Sequence, residues 1–168
     1  ATAAALIQRG GAQMVKLEGG GQQLAAVRAL TENGVAVCAH LGLQPQSVHK
    51  LGGYRVQGRD QQQAERMLRD AMNLQDAGAQ LLVLECVPQL LAAEITRALD
   101  IPVIGIGAGR ENDSQVLVLQ DVLGITPGQP PRFVHDFMKD ADSIADAIRA
   151  YVKAVKSGAF PSEEHCFS

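Results

Sequence analysis

The chain has 168 residues, 46% of them hydrophobic and 20% charged, the composition of a globular domain long enough to enclose one core and short for two. Fifteen basic against eighteen acidic side chains leave a formal charge of -3, which excludes the basic footprint of a nucleic-acid binder and a polybasic membrane patch. No apolar run approaches the roughly 20 residues of a membrane span, and aromatic residues at 4% without any Trp are too few for a base-stacking surface.

In chain order, residues 1–9 read as a helix that no capping residue precedes and that Gly10-Gly11 ends, so the sequence is expected to open inside an element. Five short apolar runs follow, at 14–17, 35–39, 81–84, 103–106 and 116–119. Each is too short for a helix and lacks strict polar alternation, the pattern of strands buried on both faces. Amphipathic stretches lie between them. Residues 21–33 carry Leu24, Val27 and Leu30 at three-residue steps and stop at Gly34. Residues 61–77 present Ala64, Met67, Leu68, Ala71 and Leu74 on one face and stop at Gly78. Residues 88–99 begin with Pro88, which fits a first helical turn, and 142–156 repeat Ile144, Ala147, Ile148, Tyr151 and Val152 before Gly158. Strand and helix in alternation predict an α/β fold with a parallel sheet. The segment 41–60, with Pro45 and four glycines, is the one long loop, and such loops are usually lids or binding loops.

A weak internal repeat supports a barrel of βα units: Gly11-Ala12-Gln13, strand, Glu18 returns as Gly78-Ala79-Gln80, strand, Glu85. The candidate chemistry sits at the strand ends, the rim on which parallel barrels build active sites. Alternation puts Lys16 and Glu18 on one face, and Leu81, Val83 and Glu85 on one face. Glu18 and Glu85 have two readings, a functional carboxylate or an acid favoured by a helix N-terminus. Lys16 within an apolar strand is either an ion-pair partner of Glu18 or a ligand for an anionic substrate. His40 ends the second run and reads as a hydrogen-bonded core histidine or a catalytic one. His49, His135 and His165 have no metal-ligand spacing, and one firm carboxylate is too few for a metal site. Gly105-x-Gly107-x-Gly109 is not the dinucleotide fingerprint, because Arg110 stands where its next glycine would help; a tight turn, a close approach to substrate or a phosphate nest remain. Cys38, Cys86 and Cys166 form no Cys-x-x-Cys pair, which favours free thiols in a reducing compartment.

Six ordered blocks carry a family resemblance: Val15-Lys16-Leu17-Glu18-Gly19-Gly20; Ala39-His40-Leu41-Gly42-Leu43-Gln44-Pro45-Gln46-Ser47; Gly52-Gly53-Tyr54-Arg55-Val56-Gln57-Gly58-Arg59; Leu84-Glu85-Cys86-Val87-Pro88; 101–109; and Phe160-Pro161-Ser162-Glu163-Glu164-His165. In this order they resemble ketopantoate hydroxymethyltransferase. The resemblance implies a (β/α)8 TIM barrel of which residues 1–168 carry about the last five βα units. It also implies transfer of a one-carbon unit from 5,10-methylenetetrahydrofolate to 3-methyl-2-oxobutanoate, giving 2-dehydropantoate in pantothenate and coenzyme A biosynthesis. With it come Mg2+ and a homo-oligomer of decamer type in the cytoplasm. By position, Glu18 matches the family's metal-side glutamate, Glu85 its proton acceptor, Lys16 a lysine on the oxo acid, and His40 a histidine near the site, read as substrate-binding.

Such a reaction needs these residue types. A 2-oxo acid chelates a divalent metal through its carboxylate and ketone oxygens, the metal stabilises the enolate, a carboxylate near C3 takes the proton, and a lysine balances the negative charge. The 41–59 loop is expected to cover the site. The chain departs from the family pattern at Asp113-Ser114-Gln115 and His165-Cys166-Phe167. The larger departure is that the family's first three βα units, with a Gly-Asp-Ser block and a metal-binding aspartate, have no counterpart. A whole barrel takes about 250 residues, and three further units at roughly 30 each would bring this chain near it; an N-terminal piece of the same barrel is therefore an expected partner. The competing readings are a metal-dependent oxo-acid lyase or mutase, which would need a Cys-containing catalytic loop, and a non-catalytic barrel remnant that keeps its assembly surfaces.

Overall fold

The computed structural model describes residues 2–47, 53 and 55–168. Five parallel strands form one sheet in sequential order: β1 (Val15–Glu18), β2 (Val37–Gly42), β3 (Leu81–Glu85), β4 (Val103–Ile106) and β5 (Ser114–Gln115). Helices α1 (Thr2–Gln8), α2 (Leu24–Thr31), α3 (Gln61–Asp76) and α4 (Gln89–Ala98) alternate with the first four strands, and α5 (Leu119–Val122) and α6 (Ile144–Lys156) follow β5. Parallel neighbours require crossovers, and α2, α3 and α4 belong to the first three. The architecture is α/β with a sheet whose order follows the chain.

Local chemistry sets the helix limits. The Asp60 carboxylate accepts the Gln63 N–H at 2.9 Å and starts α3, and the Ser143 hydroxyl accepts the Asp146 N–H at 3.2 Å, so α6 begins at 144 rather than 142. Residues 21–23 wind as a 3₁₀ turn before α2. Pro88 is the cap residue of α4, just outside its first turn.

One face of the sheet holds the main core. Val15, Val37, Ala39, Leu82, Leu84 and Val103 point to the helices and meet Met67, Ala71 and Leu74 of α3 and Leu91, Ala92 and Ile95 of α4. Burying a side chain such as Leu84 is worth about 1.5–3 kcal/mol, and Leu84 is fully enclosed. A second cluster, around Leu43, Ile106, Phe133, Phe137 and Phe160, packs α6 through Ala147.

Two expectations change. The strands are not all buried on both faces: Leu81 and Val83 of β3 are half-buried and Lys16 of β1 is exposed. The last strand is Ser114–Gln115, and residues 116–118 lie outside it, with Val116, Val118 and Leu119 exposed. Side-chain bonds set that register. The Asp113 carboxylate accepts the Val103 N–H at 2.8 Å, and the amides of Asn112 and Gln115 both donate to the Gly109 carbonyl. The β4–β5 connection, residues 107–113, is thereby a short braced loop without a helix. Among the described residues no helix is long and apolar enough to cross a membrane.

Candidate active site

The parallel ladders bring distant residues to one face and one level. Lys16 pairs in register with Cys38, Glu18 with His40, and Gly42 with Glu85. The two carboxylates occupy equivalent places, each seven residues after a glycine of positive φ, Gly11 and Gly78, and each at the C-terminal end of its strand. Neither lies in the first turn of α2 or α4, so the helix-dipole reading does not describe them.

His40 joins them. Its ring is fully buried, with Nε2 at 3.3 Å from Glu85 Oε2 and Nδ1 at 3.7 Å from Glu18 Oε1. Lys16 Nζ stands 3.8 Å from the same Glu18 oxygen and keeps half its surface in solvent. Both readings of Lys16 therefore meet in one geometry: it is ion-paired, and its ammonium is free to approach an anion. Glu18 and Glu85 each retain some exposure, 15% and 16%, whereas His40 lies beneath them. Its route to a substrate runs through the two carboxylates. Among the described residues, Glu18 Oε2 and both His40 nitrogens are buried without a hydrogen bond of acceptable geometry. Leaving such groups unpaired costs about 1–3 kcal/mol each, which marks this cluster as a place built to meet a ligand.

The backbone around Glu85 is fixed on three sides. The Leu43 N–H donates to the Glu85 carbonyl at 2.8 Å, the Cys86 N–H to Ile106 at 2.9 Å, and the Gln57 N–H to Cys86 at 2.9 Å. Cys86 itself has φ 51°, a left-handed conformation that a non-glycine residue adopts at a cost of about 1–3 kcal/mol. Burial, reinforced by the negative charge of Glu85, pushes its thiol up to about 12. Burial raises the Cys38 thiol as well, offset in part by the Lys16 ammonium. Cys166 is the third free, buried cysteine.

The remaining candidates fall outside the cluster. Gly107 and Gly109 have φ of +60° and +80°, and a Cβ there would meet the Phe133 ring and the Gln89 side chain; this motif is a turn packed against its neighbours. His165 closes a 3₁₀ turn against the Ser162 N–H, and burial lowers its pKa from the usual histidine value. His135 stacks among Phe137, Phe160 and His165. His49 and part of the expected cover, residues 48–52 and 54, lie outside the described residues. Sequence reasoning missed a polar cleft of about 320 Å³ next to the strand ends, lined by Gln22, Gln44, Gln57, Gln63, Arg66 and Asp70 among others. Gln63, Arg66, Met67 and Asp70 share one face of α3, but no sequence pattern joins that face to the stretches at 20–22, 41–44 and 57–58.

The family model described as ketopantoate hydroxymethyltransferase matches residues 1–163. The chain belongs to the ketopantoate hydroxymethyltransferase family. It is 61% identical over 165 residues to the 3-methyl-2-oxobutanoate hydroxymethyltransferase of Alkalilimnicola ehrlichii, covering 98% of this chain and 60% of that protein. Proteins of the same name from Halorhodospira halophila and Marinobacter nauticus are 57% and 58% identical, over 96% and 98% of this chain and 58% and 62% of their own lengths. The chain thus spans about three-fifths of the length of these curated relatives.

Two acids that flank one imidazole can accept a proton from a bound ligand, and the ammonium at one end can pair with an anionic group of it. Glu18 Oε2 is an orphaned buried oxygen, and carboxylate oxygen is the donor that Mg2+ takes. Glu18 fits as one ligand of such an ion. Among the described residues no group of three or more His, Cys, Asp or Glu side chains forms a complete ligand set.

Proposed function

We propose that this chain carries the base side of a hydroxymethyltransferase. The reaction would move a one-carbon unit from 5,10-methylenetetrahydrofolate to 3-methyl-2-oxobutanoate and release 2-dehydropantoate, a step of pantothenate and coenzyme A biosynthesis. The observation that carries the reading is the contact series Lys16, Glu18, His40, Glu85 at the C-terminal ends of three adjacent strands. The relatives, as 3-methyl-2-oxobutanoate hydroxymethyltransferases, support the same substrate and transferred group.

Each residue has a role in this reading. Glu85 takes the proton from C3 of the oxo acid, and the C–H electron pair moves into a C2–C3 double bond. Lys16 balances the charge on the substrate carboxylate and on the ketone oxygen as it becomes negative. His40 contributes to substrate binding from below by orienting both carboxylates. Glu18 would be a ligand of Mg2+, which when bound supplies Lewis-acid polarisation of the oxo acid oxygens. The nucleophilic C3 then bonds to the methylene carbon, both C–N bonds that hold this carbon to the carrier break in turn, water supplies the hydroxyl oxygen, and the C3 proton and one water proton end on the two released nitrogens.

The open sheet supports a (β/α)8 barrel as the complete fold, because among the described residues β1 and β5 each have one neighbour and an unpaired edge. Further strands of the same barrel, N-terminal in the family's order, would pair both edges and add carboxylates beside Glu18. The exposed Ile144, Ile148 and Val152 on α6 support association between copies, for which the family resemblance suggests a decamer type, and three free cysteines support a reducing, cytoplasmic location.

Turnover of the two substrates with Mg2+ tests the reading. The 168-residue chain joined to the remaining strands is expected to form 2-dehydropantoate, and the chain alone is not. Product from the chain alone would overturn barrel completion, and no product from the joined protein would overturn the reaction.

A further inference from the structure

We infer that the turn at 163–167, closed by His165, is a positioning clamp for Glu85, an inference that rests on the reading of Glu85 as the base. Cys86, the residue after Glu85, holds a left-handed φ of 51°. Such a conformation persists only where its surroundings over-determine it. Three neighbours fix the segment 85–87. Leu43 donates to the Glu85 carbonyl, Gln57 donates to the Cys86 carbonyl, and the end of β4 accepts the N–H groups of Cys86 and Val87 at Ile106 and Gly107. Those bonds reach no further than Val87. The chain then opens α4 behind Pro88, a cap residue that makes no side-chain bond to the first helical turn.

The acceptors that α4 lacks come from at least 74 residues further along the chain. The Gln89 N–H donates to the Phe167 carbonyl at 2.9 Å, and the Gln89 side-chain amide donates to the Glu163 carboxylate at 3.2 Å. The Glu163 charge also suits the N-terminal end of a helix. A Cβ at Gly109 would meet the same Gln89 side chain, so the turn after β4 packs against it as well. The Phe167 ring meets Phe133 edge-on, with centroids 6.3 Å apart, and Phe133 in turn packs on Gly107. The 163–167 turn thus grips the segment after Glu85 twice. It holds Gln89 directly, and through Phe133 it backs the Gly107 whose carbonyl holds Val87.

His165 gives the turn its shape. Its ring is buried, and Nδ1 accepts the Ser162 N–H at 3.2 Å and stands 2.7 Å from the Ser162 hydroxyl. Nδ1 must be unprotonated to accept. Burial and the neighbouring His135 lower the pKa of the ring against the pull of Glu164, which favours that form at neutral pH. Two further bonds fasten the turn: the Arg132 guanidinium donates to the Glu164 carbonyl at 2.8 Å, and the Cys166 thiol donates to the Ser162 carbonyl at 3.3 Å. Among the described residues His165 makes no hydrogen bond or ion pair with the carboxylate cluster. It acts on Glu85 through the backbone of 86–89 and is a positioning residue.

Exchange of the C3 proton of 3-methyl-2-oxobutanoate with D2O, followed by proton NMR on the full-length protein with Mg2+, reads proton abstraction by itself. His165→Ala is expected to slow exchange per folded molecule about 10–10²-fold. Steady-state kinetics should show kcat reduced and KM for the oxo acid moved less than about twofold. His165→Asn, whose side-chain oxygen takes the place of Nδ1 as acceptor, is expected to restore the exchange rate. Glu163→Ala, an exposed substitution that removes the side-chain bond to Gln89, is expected to slow exchange by less, and it decides the question if His165→Ala does not fold. Exchange left unchanged by the alanine substitutions would overturn the clamp and leave Glu85 as the base. An asparagine variant as slow as the alanine one would do the same. A Glu85→Gln protein that exchanges at the full rate would instead overturn the base reading, and the clamp with it.

Discussion

The two faces of one sheet divide the labour of this chain. On the helix side, Val37, Ala39, Leu82, Leu84 and Val103 are sealed against α3 and α4. On the other side, the same strands carry Lys16, Glu18, His40 and Glu85, with three polar atoms buried and unpaired among the described residues. Successive residues of one strand thus serve opposite ends: Leu84 stabilises, and Glu85 holds a charge beside His40 at a cost. The apolar face supplies the free energy that keeps the polar face in a geometry it would not hold alone.

The sharpest way to break this contrast is a pair of neighbouring substitutions. Glu85→Gln removes the proposed base while keeping its volume. In the full-length protein it is expected to lower kcat by about 10²–10⁴-fold, with the urea midpoint nearly unmoved. A variant that retained full rate would remove Glu85 from the chemistry. Leu84→Ala, one residue earlier, is expected to do the reverse. It should cost about 2–5 kcal/mol of stability by urea denaturation, while the folded fraction keeps its rate. If the two substitutions had the same profile, the faces would not be separable.

The contrast also explains what could be read from the sequence. The apolar runs at 81–84 and 103–106 fall on β3 and β4 because Leu82, Leu84 and Val103 are sealed on the helix side and Leu81, Val83 and Ile104 on the other face are apolar and half-buried. The run at 116–119 does not, because Val116, Val118 and Leu119 face outward next to an unpaired edge, and Asp113, Asn112 and Gln115 fix the pairing two residues earlier. Single-strand alternation was sufficient to put Lys16 with Glu18, and Val83 with Glu85. It carried no information that Glu18 stands level with His40, which is a property of the register between strands. The family resemblance supplied the roles, whereas the burial of His40 beneath both acids and the glutamine cleft are tertiary facts with no linear pattern.

A smaller effect sharpens the comparison at the border between the faces. Asp60 caps α3, whose inner side seals the core and whose Gln63, Arg66 and Asp70 line the cleft. Asp60→Ala is expected to cost about 1 kcal/mol by urea denaturation, less than the about 2–5 kcal/mol of Leu84→Ala. A cost above that of Leu84→Ala would mean that the cap, and not the apolar face, sets the position of α3.

The last effect is invisible at neutral pH. Cys86 follows Glu85 in a left-handed turn, and burial together with the Glu85 charge holds its thiol up to about 12, against 9.0 for the free group. Between those values the unfolded chain has lost the proton that the folded chain keeps, so the folded state binds more protons and stability falls as pH rises. Below pH 9 both states are protonated and the contribution is complete. Urea midpoints are therefore expected to be insensitive to Cys86→Ala pH dependence below 9 and to decline less steeply above 9 in that variant than in the unaltered protein. A thiol reagent at pH 8 should leave Cys86 unmodified until the chain unfolds, because only the thiolate reacts. Rapid modification in the folded state would mean that the strand end opens, and with it the backbone that aims Glu85.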